Sequence, residues 1–243
     1  ISMFVFCYVG LYAKIYDCFT FFNELELLEV RLQELYDVVD HFVIVEATQT
    51  FSGFPKPLSF SEHADHFKQY KEKIIHVVVD NFPLPTQDLA NDRWIREEFQ
   101  RNAMLKGLSR CEQEDIILIS DVDEIPNRQA IDEICHFFQQ HGFYPRREAE
   151  ENQFVCELHM RLFLFSLNRE SEIGWAGAVK AAPYWLVRKR LPWNLKILHL
   201  QDAMLPKIYN AGWHFHSMGG YGRLLEKLKA KSISHENLGK YYN

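Results

Sequence analysis

Residues 116–126 read I-I-L-I-S-D-V-D-E-I-P, an aliphatic run that leads directly into a group of carboxylates. The four consecutive aliphatic residues at 116–119 are typical of a strand that is buried on both faces of a sheet. Asp121, Asp123 and Glu124 follow that strand at once. Because open α/β sheets bind their ligands beyond the carboxyl ends of the strands, we expect these three carboxylates to lie in a binding site.

Apolar runs alternate with helical patterns on both sides of this stretch. Strands are predicted at residues 14–19, 41–46, 74–79, 116–120 and 154–165. Helices are predicted at residues 24–36, 62–73, 91–109, 131–140 and 221–231, with Asn23 and Asn91 as caps of the first and third. Such alternation is typical of βαβ units, so we expect an α/β fold with a Rossmann-like, mainly parallel sheet flanked by helices. The length fits a single domain over residues 1–243.

The composition excludes several classes of protein. The chain has 243 residues, 27 basic and 33 acidic side chains, and therefore a formal charge of −6. Hydrophobic residues make up 47% and charged residues 25%, close to the averages of soluble globular proteins. Disordered, collagen-like, coiled-coil and multi-span membrane proteins are thereby excluded. The acidic balance also argues against a nucleic-acid partner, since such proteins show clustered positive charge.

The five cysteines and the opening of the chain bear on its compartment. No C-x-x-C pair exists, which argues against structural zinc, and widely spaced cysteines favour free buried thiols, with one disulfide left open. The chain starts at Ile1, so we expect a fragment. Residues 1–13 carry no charge and are either the remnant of a membrane anchor or the approach to the first strand.

The spacing of the two aspartates suggests a metal site. In an extended backbone residues i and i+2 point the same way, so Asp121 and Asp123 are expected to aim at one point. Two carboxylates so close repel each other unless a cation lies between them. Oxygen ligands suit Mn²⁺ or Mg²⁺, and such an ion neutralises the charge of a departing diphosphate. The competing interpretation is an acidic turn without function.

Two metal-dependent reactions use such a motif. One is sugar transfer from a nucleotide diphosphate sugar, and the other is phosphoryl transfer with Asp121 as the nucleophile. Haloacid-dehalogenase-like phosphatases carry D-x-D-x-[T/V] after their first strand. Here Ile125 occupies the fifth position and the motif follows the fourth predicted strand, so both observations count against the phosphatase.

Four segments together resemble glycosyltransferase family 17. They are I-Y-D-C-F-T-F-F-N-E-L-E-L-L-E-V-R-L (15–32), Y-D-V-V-D-H-F-V-I-V-E-A-T (36–48), D-V-D-E-I-P (121–126) and A-G-W-H-F (211–215). The resemblance implies a GT-A type fold, UDP-N-acetylglucosamine as donor, a mannose-containing glycan of the N-glycan type as acceptor, and inversion at the transferred sugar. It also implies Mn²⁺ or Mg²⁺ held by Asp121 and Asp123.

The resemblance also sets expectations for the ends of the chain and its compartment. Relatives are expected to continue beyond K-S-I-S-H-E (231–236), so the carboxyl terminus is predicted to be truncated. A membrane anchor is expected upstream. A eukaryotic source would place the protein on the luminal side of the Golgi membrane, and a bacterial source would place it in the cytoplasm. A third alternative to transferase and phosphatase is a carbohydrate-binding relative without catalytic activity.

A late histidine is the candidate third metal ligand. His214 lies in G-W-H-F-H-S-M-G-G, and imidazole nitrogen is a plausible ligand of Mn²⁺. His216 has the same orientation if the segment is extended, and it is the second choice. The alternative is a packed or surface histidine.

Four residues are candidates for the nucleotide site. Glu46 ends the second predicted strand and can accept hydrogen bonds from ribose or uracil, or be a solvated strand end. Arg96, Gln100 and Arg101 lie about one turn apart on the third predicted helix and can reach the diphosphate or sugar hydroxyls. The alternative is an exposed helix face.

Some further side chains are weaker candidates. The general base is expected among three carboxylates: Glu124, Glu172 and Asp202. One of four tryptophans is expected to stack on a sugar: Trp175, Trp185, Trp193 or Trp213. Three lysines can touch the diphosphate, although a solvated basic face is the preferred interpretation: Lys227, Lys229 and Lys231.

Overall fold

The structure is a computed structural model that describes residues 13–86, 88–198 and 204–230. Its strands are β1 (Ile15–Phe21), β2 (His41–Ala47), β3 (Ile74–Val79), β4 (Ile116–Asp121), β5 (Glu124–Pro126), β6 (Cys156–Leu164), β7 (Glu170–Pro183), β8 (Lys207–Ile208) and β9 (Gly212–His216). Its α-helices are α1 (Leu25–Leu35), α2 (Ser59–Glu62), α3 (Leu89–Asn102), α4 (Met104–Gly107), α5 (Arg128–His141), α6 (Tyr184–Arg190), α7 (Pro192–Lys196) and α8 (Gly220–Ala230). Two 3₁₀ segments cover Ala64–Tyr70 and Glu148–Phe154.

The nine strands form one mixed sheet in the order β3-β2-β1-β4-β7-β6-β9-β5, with β8 beside β6. β3, β2, β1 and β4 pair in parallel and form the Rossmann-like half. β7 then pairs antiparallel with both β4 and β6, and β5 pairs antiparallel with β9. The predicted α/β class with a Rossmann-like sheet is confirmed. The antiparallel pairings make the sheet mixed rather than purely parallel.

Helices cover both faces of the parallel half. Ser120 and Asp121 are successive residues of β4, so their side chains point to opposite faces. Arg31 of α1 bonds the Ser120 hydroxyl, and Arg101 of α3 bonds the Asp121 carboxylate. α1 and α3 therefore lie on opposite faces. The strands between them are fully buried, which explains their continuous apolar sequences.

The predicted strands are confirmed to within two residues at each end, and two helix predictions are wrong. Residues 62–73 do not form one α-helix. A 3₁₀ segment, Ala64–Tyr70, buries Phe67 and Tyr70, three residues apart, because side chains at that spacing align on a 3₁₀ turn. The third predicted helix divides at Ala103 into α3 and α4.

The predicted helix caps are also wrong. α1 begins after Glu24, whose carboxylate accepts hydrogen bonds from the N–H groups of Phe22 and Asn23. α3 begins after Asp88, whose carboxylate accepts from the N–H groups of Ala90 and Asn91. The Asp88 carboxylate satisfies orphan backbone donors in the first turn of α3, whereas Glu24 makes no side-chain cap bond to α1.

Some expectations concern the ends of the chain and its thiols. The four cysteines in the described part are free thiols: Cys18, Cys111, Cys135 and Cys156. No helix in residues 13–86, 88–198 or 204–230 is long and apolar enough to cross a membrane. The predicted anchor remnant at residues 1–12, and the candidate residues Asp202 and Lys231, lie outside the described residues.

Candidate active site

A pocket of about 640 Å³ opens at the carboxyl ends of β1 and β4. Asp121, the last residue of β4, lies in its wall together with Asp123, from the turn between β4 and β5, and Glu124 of β5. The remaining walls come from residues 49–51, α3, β6, β7, β9 and α8. Its size is in the usual range of small-molecule sites, and it lies where open α/β sheets bind ligands.

The segment that carries the three carboxylates, residues 121–124, is called the acidic loop. It is held in place by a buried arginine that was not identified from the sequence. Arg31 donates two hydrogen bonds to Asp17, at 2.7 and 2.6 Å, and both side chains are fully buried. The same guanidinium donates to the carbonyl oxygens of Asp121 at 2.9 Å and Glu124 at 2.8 Å. Its plane also lies 4.3 Å from the Phe19 ring centroid. The loop backbone is therefore fixed before any ligand binds.

Asp121 is directed towards α3. Its Oδ1 accepts hydrogen bonds of 2.7 Å from Arg101 and from the Thr20 hydroxyl, and its Oδ2 is 3.9 Å from the Lys196 Nζ. Burial by itself would raise the pKa of Asp121, but Arg101 and Lys196 outweigh it and hold that pKa well below its usual range. Asp121 is therefore ionised at neutral pH.

Asp123 is directed towards β9 and α8. Its Oδ2 is 2.6 Å from Lys227 Nζ, and its Oδ1 is 3.7 Å from the His214 Nε2. Burial opposes ionisation, yet Lys227 and His214 hold the pKa of Asp123 well below its usual range. The expectation that Asp121 and Asp123 aim at one point needs correction. β4 ends at Asp121 and the chain turns, so the alternation of an extended strand does not continue to Asp123.

Glu124 is buried and bonded through both oxygens. Its Oε1 accepts from the Trp175 indole N–H at 3.2 Å, and its Oε2 accepts from the Asp121 backbone N–H at 2.9 Å. Lys196 pairs with the same Oε2. These three donors, from Trp175, the Asp121 backbone and Lys196, fix the Glu124 carboxylate in place. The assignment of Glu124 as a catalytic residue stays a prediction.

The four residues predicted for the nucleotide site differ in their burial and in their hydrogen-bond partners. Glu46 is fully buried and accepts from the Phe60 N–H at 3.1 Å, so it is not a solvated strand end. Arg96 donates to the Phe51 carbonyl at 3.1 Å, and Arg101 is buried against Asp121. Gln100 donates to the Val45 carbonyl at 3.0 Å and reaches the pocket wall. The alternative of one exposed helix face is wrong for the buried Gln100 and Arg101.

Two tryptophans line the pocket, one of them unexpected. Trp175 of β7 lies in the wall, with its ring 4.6 Å from the His214 ring. Trp94 of α3, which was not among the predicted candidates, also lines the pocket and is 45% exposed. It packs against Trp193, with ring centroids 6.2 Å apart. The pocket therefore has an aromatic ring on both its α3 side and its β7 side.

A comparison with protein-family models matches residues 8–169 to the family described as glycosyltransferase family 17. The chain belongs to glycosyltransferase family 17. The match covers the acidic loop and most of the strands that position it. The family predicted from the sequence motifs is thereby confirmed.

Curated relatives of this family 17 chain are similar over a shorter stretch. The β-1,4-mannosyl-glycoprotein 4-β-N-acetylglucosaminyltransferases of Homo sapiens and Rattus norvegicus are each 36% identical over 115 residues. That stretch is 45% of this chain but 21% of each relative, so the chain spans only a small part of their length.

Two solved structures are similar to this chain, at a lower sequence identity than the curated relatives. The mannosyltransferase PcManGT from Pyrobaculum calidifontis, in complex with GDP-Man and Mn²⁺, has a TM-score of 0.49 at 10% identity. The alignment covers 90% of this chain and 61% of that one. A mycobacterial protein has a TM-score of 0.46 at 11% identity, covering 87% of this chain and 70% of the other. These values add nothing about activity.

The donor set of the family 17 chain fits a divalent cation in part. Asp123 and His214 offer oxygen and imidazole ligands, which suit Mn²⁺. The Nδ1 of His214 is buried and has no hydrogen-bond partner, which marks a polar atom that a ligand can satisfy. Within the described ranges no three His, Cys, Asp or Glu side chains converge, because Asp121 turns to Arg101. Asp121 as third ligand stays a prediction.

Proposed function

We propose that the chain transfers N-acetylglucosamine from UDP-N-acetylglucosamine to a mannose-containing glycan, with inversion and with Mn²⁺ or Mg²⁺. The observation that carries the proposal is the fixed acidic loop, with Asp121, Asp123 and Glu124 in the wall of one pocket at the carboxyl edge of β1 and β4. Family membership and the name of the 36% identical relatives support the transferred sugar and the acceptor class.

The two sides of the pocket receive different substrates in this proposal. The nucleotide lies over the parallel half, against residues 49–51 and Trp94, because ligands of such sheets bind beyond the parallel strands. The acceptor glycan lies towards β6 and β7, where Leu162, Leu164 and Trp175 give the apolar and aromatic surface that sugar rings favour.

Asp123 and His214 are the residues that would hold the cation, with Asp121 as the predicted third ligand. A bound divalent cation supplies Lewis-acid stabilisation of the diphosphate as it leaves. Arg101 and Lys196 keep Asp121 ionised, and Lys196 also holds Glu124 in place. Arg31 fixes the loop backbone, so the carboxylates are preorganised before substrate arrives.

Attack by an acceptor hydroxyl on the face opposite the diphosphate requires a carboxylate that removes the proton. Glu124 accepts bonds from three protein donors, so it would have to release one of them to act as that base. Glu172 is exposed on β7 but is not among the residues that line the pocket, whereas Glu124 is. We therefore rank Glu124 above Glu172 as the base.

Incubation with UDP-N-acetylglucosamine and a mannose-containing oligosaccharide, in Mn²⁺ or in EDTA, tests the proposal. We expect a glycan heavier by one N-acetylhexosamine by mass spectrometry, a β-linkage by NMR, and no product in EDTA. UDP release without a new glycan would indicate hydrolysis. Glycan binding without UDP release would indicate a binding protein, and phosphate trapped on Asp121 would indicate the phosphatase alternative.

A further inference from the structure

Lys227 lies inside the pocket, at the acidic loop. Its Nζ is 2.6 Å from Asp123 Oδ2 and 3.4 Å from Glu24 Oε1, and its side chain is 21% exposed. Burial by itself would lower the pKa of Lys227, but the two carboxylates raise it above its usual value. The preferred sequence interpretation, a solvated basic face, is therefore wrong for Lys227. It holds for Lys229, whose side chain is exposed.

The helix that carries Lys227 is attached to the body of the protein through polar contacts. None of the described side chains of α8 is buried. Arg223 donates to both carboxylate oxygens of Glu26, at 2.9 and 2.8 Å, and Ser52 donates to the Lys229 carbonyl at 2.6 Å. Exposed ion pairs contribute about 0–1 kcal/mol, so the contacts of α8 other than those of Lys227 hold it weakly.

The connection into α8 also allows movement. Gly219 precedes the helix and Gly220 is its first residue, with φ angles of +98° and +80°. Glycine adopts this left-handed region without steric cost, so the linkage can change conformation more readily than other residues would allow. α8 therefore combines a glycine linkage, a surface position and a single cation directed into the pocket.

Three described cations pair with carboxylates of the acidic loop, and they differ in how firmly they are held. Arg101 and Lys196 are buried, at 1% and 8% exposure, on helices α3 and α7 that pack against each other. Lys227 is the cation of the three on a helix with no buried residue. A diphosphate that enters the pocket adds negative charge beside Asp123 and Glu24. Lys227 is the side chain placed to balance that charge with little rearrangement.

We propose that Lys227 is a phosphate-binding residue of this site. When a nucleotide binds, the Lys227 ammonium leaves Asp123 and pairs with the diphosphate instead. α8 closes over the nucleotide in the same movement. The proposal rests on the proposed function in one respect, namely that a nucleoside diphosphate occupies the pocket. Lys227 lies outside the match to the family model, which ends at residue 169.

Titration calorimetry with UDP and with UMP, both in Mn²⁺ buffer, tests the proposal. UMP lacks the second phosphate, so it serves as the internal control for base and ribose contacts. The test variant is Lys227→Met, and Lys229→Met on the same helix is the matched control. Lys227→Arg keeps the charge. Thermal unfolding of each variant verifies that it is folded.

We expect Lys227→Met to weaken UDP binding by about tenfold or more, the usual scale of a lost hydrogen bond to a charged group. UMP binding should change by less than about twofold, and Lys229→Met should bind UDP like the wild type. Lys227→Arg should retain most of the affinity. Hydrogen exchange of α8 amides should slow with UDP and not with UMP.

Unchanged UDP affinity in folded Lys227→Met would overturn the inference, and so would an equal loss of UDP and UMP binding. Suppose that UDP binds more tightly than UMP, that this preference depends on Lys227, and that no sugar is transferred. That result would overturn the proposed function and leave the inference standing. Absence of binding of either nucleotide to the folded wild type would overturn both.

Discussion

Arg31 and Asp17 form a fully buried, two-bond ion pair directly beneath the acidic loop. The remaining donors of Arg31 are used on Ser120 and on loop carbonyls, so little of its hydrogen-bonding capacity is left over. A buried pair of this kind is costly to break, because its partner is left charged and unsolvated. The pair therefore links the stability of the fold to the geometry of the site.

Replacement of Arg31 by methionine is expected to destabilise the protein by about 3–5 kcal/mol, since it leaves Asp17 as an unpaired buried charge. The free energy of unfolding in urea measures the effect. Arg161→Met is the matched control, because Arg161 makes a two-bond pair with Glu170 that is about half exposed. The control should lose less than about 1 kcal/mol. Equal losses in the two variants would refute a special role for the Arg31–Asp17 pair.

Lys180 predicts a pH dependence of stability. Burial lowers its pKa to about 8, although Glu157, 3.3 Å away, opposes the shift. Between about pH 8 and its ordinary pKa near 10.5, the unfolded chain binds this proton and the folded chain does not. The Lys180 contribution to stability therefore rises with pH across that window, by up to about 1.4 kcal/mol per pH unit.

The comparison of wild type with Lys180→Met isolates this effect, because other groups titrate in the same range. Burial raises the pKa of the Cys111 and Cys156 thiols to about 12, so their contribution falls as pH rises above the ordinary value of 9. The difference in unfolding free energy, wild type minus variant, should increase from pH 8 to pH 10.5. A flat difference would show that Lys180 has an ordinary pKa.

Trp94 predicts an effect on donor affinity. Stacking of a base on an aromatic ring is worth about 1–3 kcal/mol, so Trp94→Ala should raise the donor KM by about tenfold and leave kcat nearly unchanged. Trp185→Phe is the control, since Trp185 bonds the Phe143 carbonyl and lies outside the pocket wall. Steady-state kinetics measures both. A loss in kcat with an unchanged KM would place Trp94 outside the nucleotide site.

The sequence was sufficient for the Rossmann-like half of the fold and for the acidic loop. β1, β2 and β4 of that half are mostly apolar and almost fully buried, and such runs are readable without knowledge of their neighbours. β7 was missed because Gly174 and Gly177, both with positive φ, interrupt its alternation, and its register with β6 shifts. Its pairing depends on strands that are distant in sequence.

The side chains that hold the site were harder to predict. Arg31 lies three residues after Leu28 on the apolar face of α1, and Asp17 lies within a fully buried strand. The signal available in the sequence was one basic and one acidic residue, each within an otherwise apolar pattern. Such residues are expected to pair when they are buried. Nothing local to Lys227 distinguishes it from Lys229, because only the tertiary position of α8 brings one of them to Asp123.

UDP release from a panel of UDP-sugars, with Mn²⁺ and an acceptor glycan, tests the central claim most directly. The claim is that Asp123, in the acidic loop, holds the cation that binds the nucleotide diphosphate. The account predicts release with UDP-N-acetylglucosamine, reduced at least about a hundredfold in a folded Asp123→Asn variant and little changed in Asp37→Asn, an exposed carboxylate paired with Arg128. Equal UDP release by wild type and Asp123→Asn would contradict it.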